Sequence, residues 1–409
     1  MNKLYVKNIN KNKNKITIEY EIKGEWVKYF NTEEKFFIEY SRNIEDVPNS
    51  ICVLPFIANI LPILWVTNAT IFVEEMDKNF YECLENIKRG YINMFPQIQF
   101  GGNVNVKKLC DNMYENSENV ALFFSGGLDS FSTLIGHISE NPEIITIWGS
   151  DIELNDLDGW NNVTRHIEKV TNTFNIKNNL IKTNFRTFIN EPNLSCMIEK
   201  RVNDGWWHAF QHGIGIITQA APIAYLDKLS KVYIASSYSE KNKAITCASD
   251  PSIDNYVKFA SCSVYHDQYN LTRMQKTKKI VEYANSTGIY SQLRVCWISR
   301  GGKNCCHCEK CYRTIYELIA CGEDPNKYGL FFNDKVNKEA KEYIMYKHFI
   351  DTPAIPLWKE IKEEFLNQKS IFAKSKYKWI YKIKPEKDNK NLMKNFFAIA
   401  KKIKRKLIK

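Results

Sequence analysis

Asn119-Val120-Ala121-Leu122-Phe123-Phe124 running into Ser125-Gly126-Gly127-Leu128-Asp129-Ser130, then Phe131-Ser132-Thr133-Leu134-Ile135, is the stretch that decides the fold. An apolar run of strand length stops at a polar, glycine-bearing turn and resumes with spacing that suits a helix, so the segment reads strand, loop, helix. Two adjacent glycines let the backbone turn sharply and leave room for a close ligand. Several amides and the positive end of a helix dipole then point at one anion. Ser125 and Ser130 add hydroxyl donors, and Asp129 can cap the helix or hold a magnesium ion. For Ser-Gly-Gly alone the plainer reading is a capped turn without a ligand; the full stretch is more specific.

Outward from the loop, residues 117 to about 325 alternate strands with longer helical stretches, which predicts an α/β domain with a parallel sheet and helices on both faces. Expected strands are Glu143–Trp148, Asn179–Thr183, Lys231–Ala235 and Ser291–Val295. Ligands of such sheets bind outside the carboxyl ends of the strands. Gly149-Ser150-Asp151, Asn184 to Arg186, Ser236-Ser237-Tyr238 and Cys296 are therefore positions to inspect. A long apolar helix is expected from Gly205 to Leu229. His208 and His212 share its face, a spacing that suits a metal pair, but the surrounding aromatics favour packed histidines.

Residues 1–112 read as a small accessory α+β domain, with strands at 15–22, 35–40 and 70–75 and a helix near 77–92. Ile51 to Val66 is apolar, but two prolines and Asn59 interrupt it and it is short for a membrane span, so it reads as buried core. Residues 326–409 read as a helical extension. The chain opens without a signal-like segment, and the expected compartment is the cytoplasm.

The net charge of +11 is concentrated at one end. From Lys369 to Lys409 there are fifteen Lys or Arg against Glu386 and Asp388, which leaves residues 1–368 at −2. A basic face for nucleic acid is not implied for the body. Phe396, Ile399, Ile403 and Leu407 recur at helical spacing among basic residues, so the tail reads as a basic amphipathic helix suited to an anionic membrane surface. Peripheral attachment at the inner membrane is the corresponding expectation.

Five of the twelve cysteines fall between 296 and 311. Cys296, Cys305, Cys308 and Cys311 form Cys-x8-Cys-x2-Cys-x2-Cys, and four thiolates on a glycine-containing loop suit a tetrahedral Zn2+ site. Cys306 and His307 leave the register open, and spacing alone does not separate zinc from an iron-sulfur centre. The remaining cysteines read as small buried hydrophobes.

The Ser-Gly-Gly-x-Asp-Ser loop resembles the pyrophosphate-binding loop of the PP-loop ATP pyrophosphatases. With Lys276-Thr277-Lys278-Lys279-Ile280-Val281 and then the four cysteines following in order, residues 117–321 resemble the 7-cyano-7-deazaguanine synthase family of queuosine biosynthesis. The resemblance implies an adenine nucleotide hydrolase-like fold and a ligase that adenylates a carboxylate, releases AMP and pyrophosphate, and passes the acyl group to ammonia or an amine. It implies ATP and Mg2+ at Ser125, Gly126, Gly127, Leu128, Asp129 and Ser130, zinc on the four cysteines, and Asp129, Ser130 and Lys276 as catalytic residues. Arg165, Lys182, Arg186 and Arg273 are further candidate phosphate partners.

The chain departs from that family in its long N-terminal segment and in the region after Ala235, where Ser236 to Glu240 and Cys247 to Asp254 align only loosely. Diverged relatives with added N-terminal domains belong to antiphage defence, and this chain resembles that group. The acyl acceptor is expected to be a small molecule, a protein or a nucleobase, and a homodimer is one expected assembly. Two other readings share the loop. One is a tRNA sulfurtransferase, which needs free cysteines; the other is a nucleotide-sensing protein, in which the loop would have decayed.

Overall fold

The computed structural model describes residues 2–115, 117–242, 245–296, 298, 300–347 and 352–384. Phe396 to Lys409, where the amphipathic tail is expected, lies outside them. The chain divides into two compact units, one built from residues up to Ser125 with Thr133–Asn270, the other from Gly126–Ser132 with residues from Leu271 onward.

The first unit is α/β and carries one large, mostly parallel sheet. Its strands are β1 (Lys3–Asn12), β2 (Lys15–Lys23), β3 (Phe36–Tyr40), β4 (Thr70–Asp77), β5 (Asn103–Cys110), β6 (Val120–Phe123), β7 (Glu143–Trp148), β8 (Asn178–Thr183), β9 (Lys231–Ala235), β10 (Lys258–Phe259) and β11 (Cys262–Asp267). They lie in the order β10-β11-β9-β6-β7-β8-β3-β2-β1-β4-β5. The run from β11 to β8 is parallel throughout. All four residues of β6 are buried, as its unbroken apolar sequence requires of a strand flanked on both sides.

The N-terminal strands continue this sheet. Antiparallel β3 joins β8 through Ile38↔Thr183, Glu39↔Lys182 and Tyr40↔Ile181. Asn184, one residue past β8, reinforces the join: its Oδ1 accepts the Phe37 N–H at 2.9 Å and its Nδ2 donates to the Lys35 carbonyl at 2.9 Å. Phe36, Ile38 and Tyr40 alternate inward to the core. The apolar stretch from Ile51 to Trp65 is buried core, most of it in the helix Leu54–Thr67. Its one amide, Asn59, donates to the Pro55 carbonyl and accepts from Gln211 at 2.7 Å, which makes the burial of a polar group tolerable. No described helix is long and apolar enough to cross a membrane.

Two expected elements differ. Ser291–Val295 does not form a strand, because its main-chain donors are taken by loops: Leu293 N–H goes to the Tyr328 carbonyl, Arg294 N–H to the Gly126 carbonyl and Val295 N–H to Asn304 Oδ1. The parallel neighbour of β9 is instead β11. The long helix expected from Gly205 breaks into a π turn at Trp207–Gln211, a helix at His212–Ile217, a 3-10 turn at Thr218–Ala220 and a helix at Ala221–Asp227.

The second unit is helical. Arg273–Thr287 starts at a capping box, with Thr272 accepting from Gln275 N–H and Gln275 returning to Thr272 N–H, and ends at Gly288 with φ +74°. Glu309–Ala320 starts at Cys308 and is almost wholly buried. Phe372, Trp379 and Ile380 are buried in this unit, and Trp379 meets Tyr316 edge-on at 5.2 Å. The first part of the basic segment counted from Lys369 is therefore packed structure.

Candidate active site and metal centre

The connection from β6 turns one way in the sheet, to β7, while β9 lies on its other side. The crevice outside the carboxyl ends of adjacent strands at such a reversal is where open α/β sheets hold ligands. Ser125 follows β6 at this end, and Ser236 to Tyr238 follow β9.

In the second unit the rest of the loop is shaped by its own hydrogen bonds. Gly126 has φ +77°, a conformation that strains a side chain, and its carbonyl accepts from Arg294 N–H at 2.7 Å. The Gly127 carbonyl accepts from Phe131 N–H and from Ser130 Oγ, both at 3.0 Å, which starts the helix Leu128–His137. Leu128 is buried and anchors that start.

Asp129 stands on the first turn of the helix, its side chain 20% exposed. Oδ2 accepts from Arg273 Nη1 at 2.6 Å, and Oδ1 lies 3.6 Å from Lys276 Nζ and has no hydrogen-bond partner. Arg273 continues inward, with Nε on both Glu317 oxygens at 2.9 and 3.2 Å and Nη2 on Thr314 Oγ1 at 3.2 Å. Burial disfavours a charged Asp129, but Arg273, Lys276, Lys310 and Arg313 outweigh it and hold the carboxyl below its ordinary range. Burial pushes Glu317 up, against the pull of Arg273.

Lys276 and Arg273 are thus brought together on Asp129. The other candidate cations are in the first unit: Arg165 is held by Asn161 and Asn162, Lys182 lies over the Trp148 ring at 4.6 Å, and Arg186 stacks on Trp207 at 4.1 Å. Glu317 and Thr314 carried no sequence signal of their own, since a polar pair inside an amphipathic helix reads as its solvated face. In the first unit Gly149, Ser150, Asn184 and Arg186, all at strand ends, share a cavity of about 670 Å³ with Asn31 and Lys35. Arg186 Nε is buried there without a hydrogen-bond partner.

The four sulfurs of Cys296, Cys305, Cys308 and Cys311 lie within 4.8 Å of one another. Cys296 to Cys308 and Cys305 to Cys311 are each 3.9 Å. A tetrahedral ion with metal–sulfur bonds of about 2.3 Å has sulfur–sulfur edges of about 3.8 Å, so the group could hold a metal ion such as zinc. Cys308 caps the helix, its Sγ accepting from Cys311 N–H at 3.5 Å. Within this group of sulfurs, hydrogen bonds from Cys311 and then Cys305 and Cys296 lower the Cys308 thiol against burial, while those of Cys305 and Cys311 are raised. The register is also decided: Cys306, with φ +56°, is outside the group, and His307 turns its Nδ1 to Glu339 at 3.0 Å.

Comparison with protein-family models, with curated proteins and with solved structures gives no match.

Proposed function

We propose that the chain is an ATP-dependent carbon–nitrogen ligase of the 7-cyano-7-deazaguanine synthase type. The observation that carries this reading is the Ser125–Ser130 loop, which follows the strand at the reversal of a parallel sheet and runs straight into a helix whose first turn holds Asp129 between Arg273 and Lys276.

In this reading the loop amides and the Ser125 and Ser130 hydroxyls take the leaving phosphates of ATP, and the helix start favours their negative charge. A substrate carboxylate oxygen attacks the α-phosphorus; the bond to the β-phosphate bridge breaks and pyrophosphate leaves with the electron pair. The amine then displaces AMP from the acyl carbon. Mg2+ would neutralise phosphate charge, and the bare Asp129 Oδ1 is the ligand atom available to it. Lys276 and Arg273 fix that carboxylate and add positive charge, so the protein supplies mainly positioning and electrostatics. Zinc on the four cysteines would be structural, because the protein closes all four positions, and the 3.9 Å spacings favour one ion over a cluster. Those four cysteines, engaged in that way, are not free to carry sulfur.

Incubation of the magnesium-supplemented protein with labelled ATP and a panel of acids, 7-carboxy-7-deazaguanine among them, tests the proposal. AMP and pyrophosphate are the expected products. Formation of ADP and orthophosphate, or full turnover by Asp129→Ala, would remove it.

A further inference from the structure

Asp204, His208, His212 and Cys247 converge in the first unit. The turn at Trp207–Gln211 closes with an i+5 bond from His212 N–H to the Trp207 carbonyl. This wider turn brings positions four apart nearly into line, so the rings of His208 and His212 reach the same sulfur; π turns of this kind recur at functional sites.

Cys247 arrives on a separate segment, pinned where Ala248 N–H donates to the His208 carbonyl at 2.8 Å. Gly213 admits that segment: a Cβ there would stand 2.5 Å from the Ala248 carbonyl oxygen and 2.4 Å from Asp254 Oδ1. That Asp254 oxygen is buried and has no hydrogen-bond partner, so the cluster keeps one open acceptor. Cys247 Sγ lies 3.6 Å from His212 Nδ1, and His208 is close enough to favour its thiolate. His208 Nδ1 is in turn 2.5 Å from Asp204 Oδ2.

A thiol, an imidazole and an orienting carboxylate in series is the arrangement that activates a nucleophile. The plainer reading, a cysteine used as a small hydrophobe, fits Cys52, Cys83 and Cys262, whose thiols burial pushes up. It does not fit Cys247, which is only 4% exposed yet comes down to about 6, because His208 and His212 beside it outweigh burial. His208 rises to about 10: burial opposes its charge, and Asp204 and Cys247 more than reverse that. The other groups facing the pair are Asp151 and Asp254 near His212, Tyr91 near Cys247, and His266 on the far oxygen of Asp254.

We propose that Cys247 is the nucleophile of a second chemical centre, with His208 and His212 as its bases and Asp204 as the orienter of His208, which takes an acyl group as a thioester and hands it to an amine. The thiolate attacks the carbonyl carbon of an activated carboxylate; the carbon–sulfur bond forms and the carbon–oxygen bond to the leaving group breaks, the oxygen keeping the electron pair. A histidine gives its proton to water. It then takes a proton from the amine that attacks the thioester, and sulfur departs as thiolate, restoring the pair. An acyl adenylate as the donor rests on the ligase reading above; the nucleophile itself does not.

Peptide-resolved alkylation of the metal-loaded full chain with iodoacetamide, across pH 5 to 9, tests the thiolate. The expected midpoint for Cys247 is about pH 6. His208→Gln should raise it and slow alkylation at neutral pH by roughly tenfold, since less thiolate is present. In a second arm p-nitrophenyl acetate, without ATP, should place an acetyl group on Cys247, and added glycine amide should remove it as the acetylated amine. A midpoint at the ordinary thiol value, or no adduct on Cys247 in the folded protein, would overturn the proposal. Neither probe needs ATP, so a failure of adenylation and a failure of this centre give different results.

Discussion

Asp129 and Arg273, 144 residues apart in the chain, meet at 2.6 Å, and the same guanidinium is held from behind by the fully buried Glu317. One cation therefore serves two carboxylates with opposite tendencies: Asp129 is held in its charged form, while burial favours the protonated form of Glu317.

The first consequence is a pH dependence of stability. The folded state binds a proton on Asp129 more weakly than the unfolded state, so its contribution is present above the ordinary carboxylate pKa and is lost as pH falls through and below about 4. Asp129→Asn should cost about 2 kcal/mol at pH 7, as for loss of a hydrogen bond to a charged group. Urea unfolding of both proteins at pH 7 and pH 3 measures it. The gap should shrink at the lower pH, and a gap that stays constant would refute the ion-pair account.

Removing the shared cation should be worse than removing either acid. Arg273→Ala leaves Glu317 buried without its partner, for which a loss of about 3–5 kcal/mol is expected. Glu317→Gln keeps a hydrogen-bond acceptor of the same shape and should cost less. Denaturant midpoints of the two variants rank them, and the reverse order would show that Arg273 does not hold the network together.

Metal analysis should find about one zinc per chain. Cys308→Ser should lose the metal and lower stability by several kcal/mol, because metal binding is coupled to folding. Cys306→Ser should keep it, since Cys306 is outside the four-sulfur group. Acid-labile sulfide with iron, or metal loss from the Cys306 variant, would count against the assigned ligands.

The point at which the tail can be cut is set by packing. A chain ended at Gln368 loses the buried Phe372 and Trp379, whereas one ended after Lys384 keeps both. Deleting one such side chain costs about 3–5 kcal/mol, so the shorter chain should be markedly destabilised. With the 384-residue form in hand, co-sedimentation with anionic vesicles tests membrane contact by the tail. Equal pelleting of the full and shortened chains would end that idea.

What the sequence determined by itself is local. The strand before the loop, the helix after it, the inward alternation of Ile16 and Ile18 and the cysteine spacing are all set by periodicity and turn chemistry within a few residues. The tertiary structure decided what depends on partners far along the chain. The joining of β3 to β8 is a match of main-chain groups, which leaves no mark on the side-chain pattern. Ser291–Val295 has the composition of a strand, yet its donors found loop carbonyls and an asparagine first. Arg273 could be counted as a charge from sequence, but its placement on Asp129 and Glu317 could not. Cys247 read as an inert hydrophobe until folding set two histidines against it, because a single polar side chain carries no period and only the contacts made around it change what it can do.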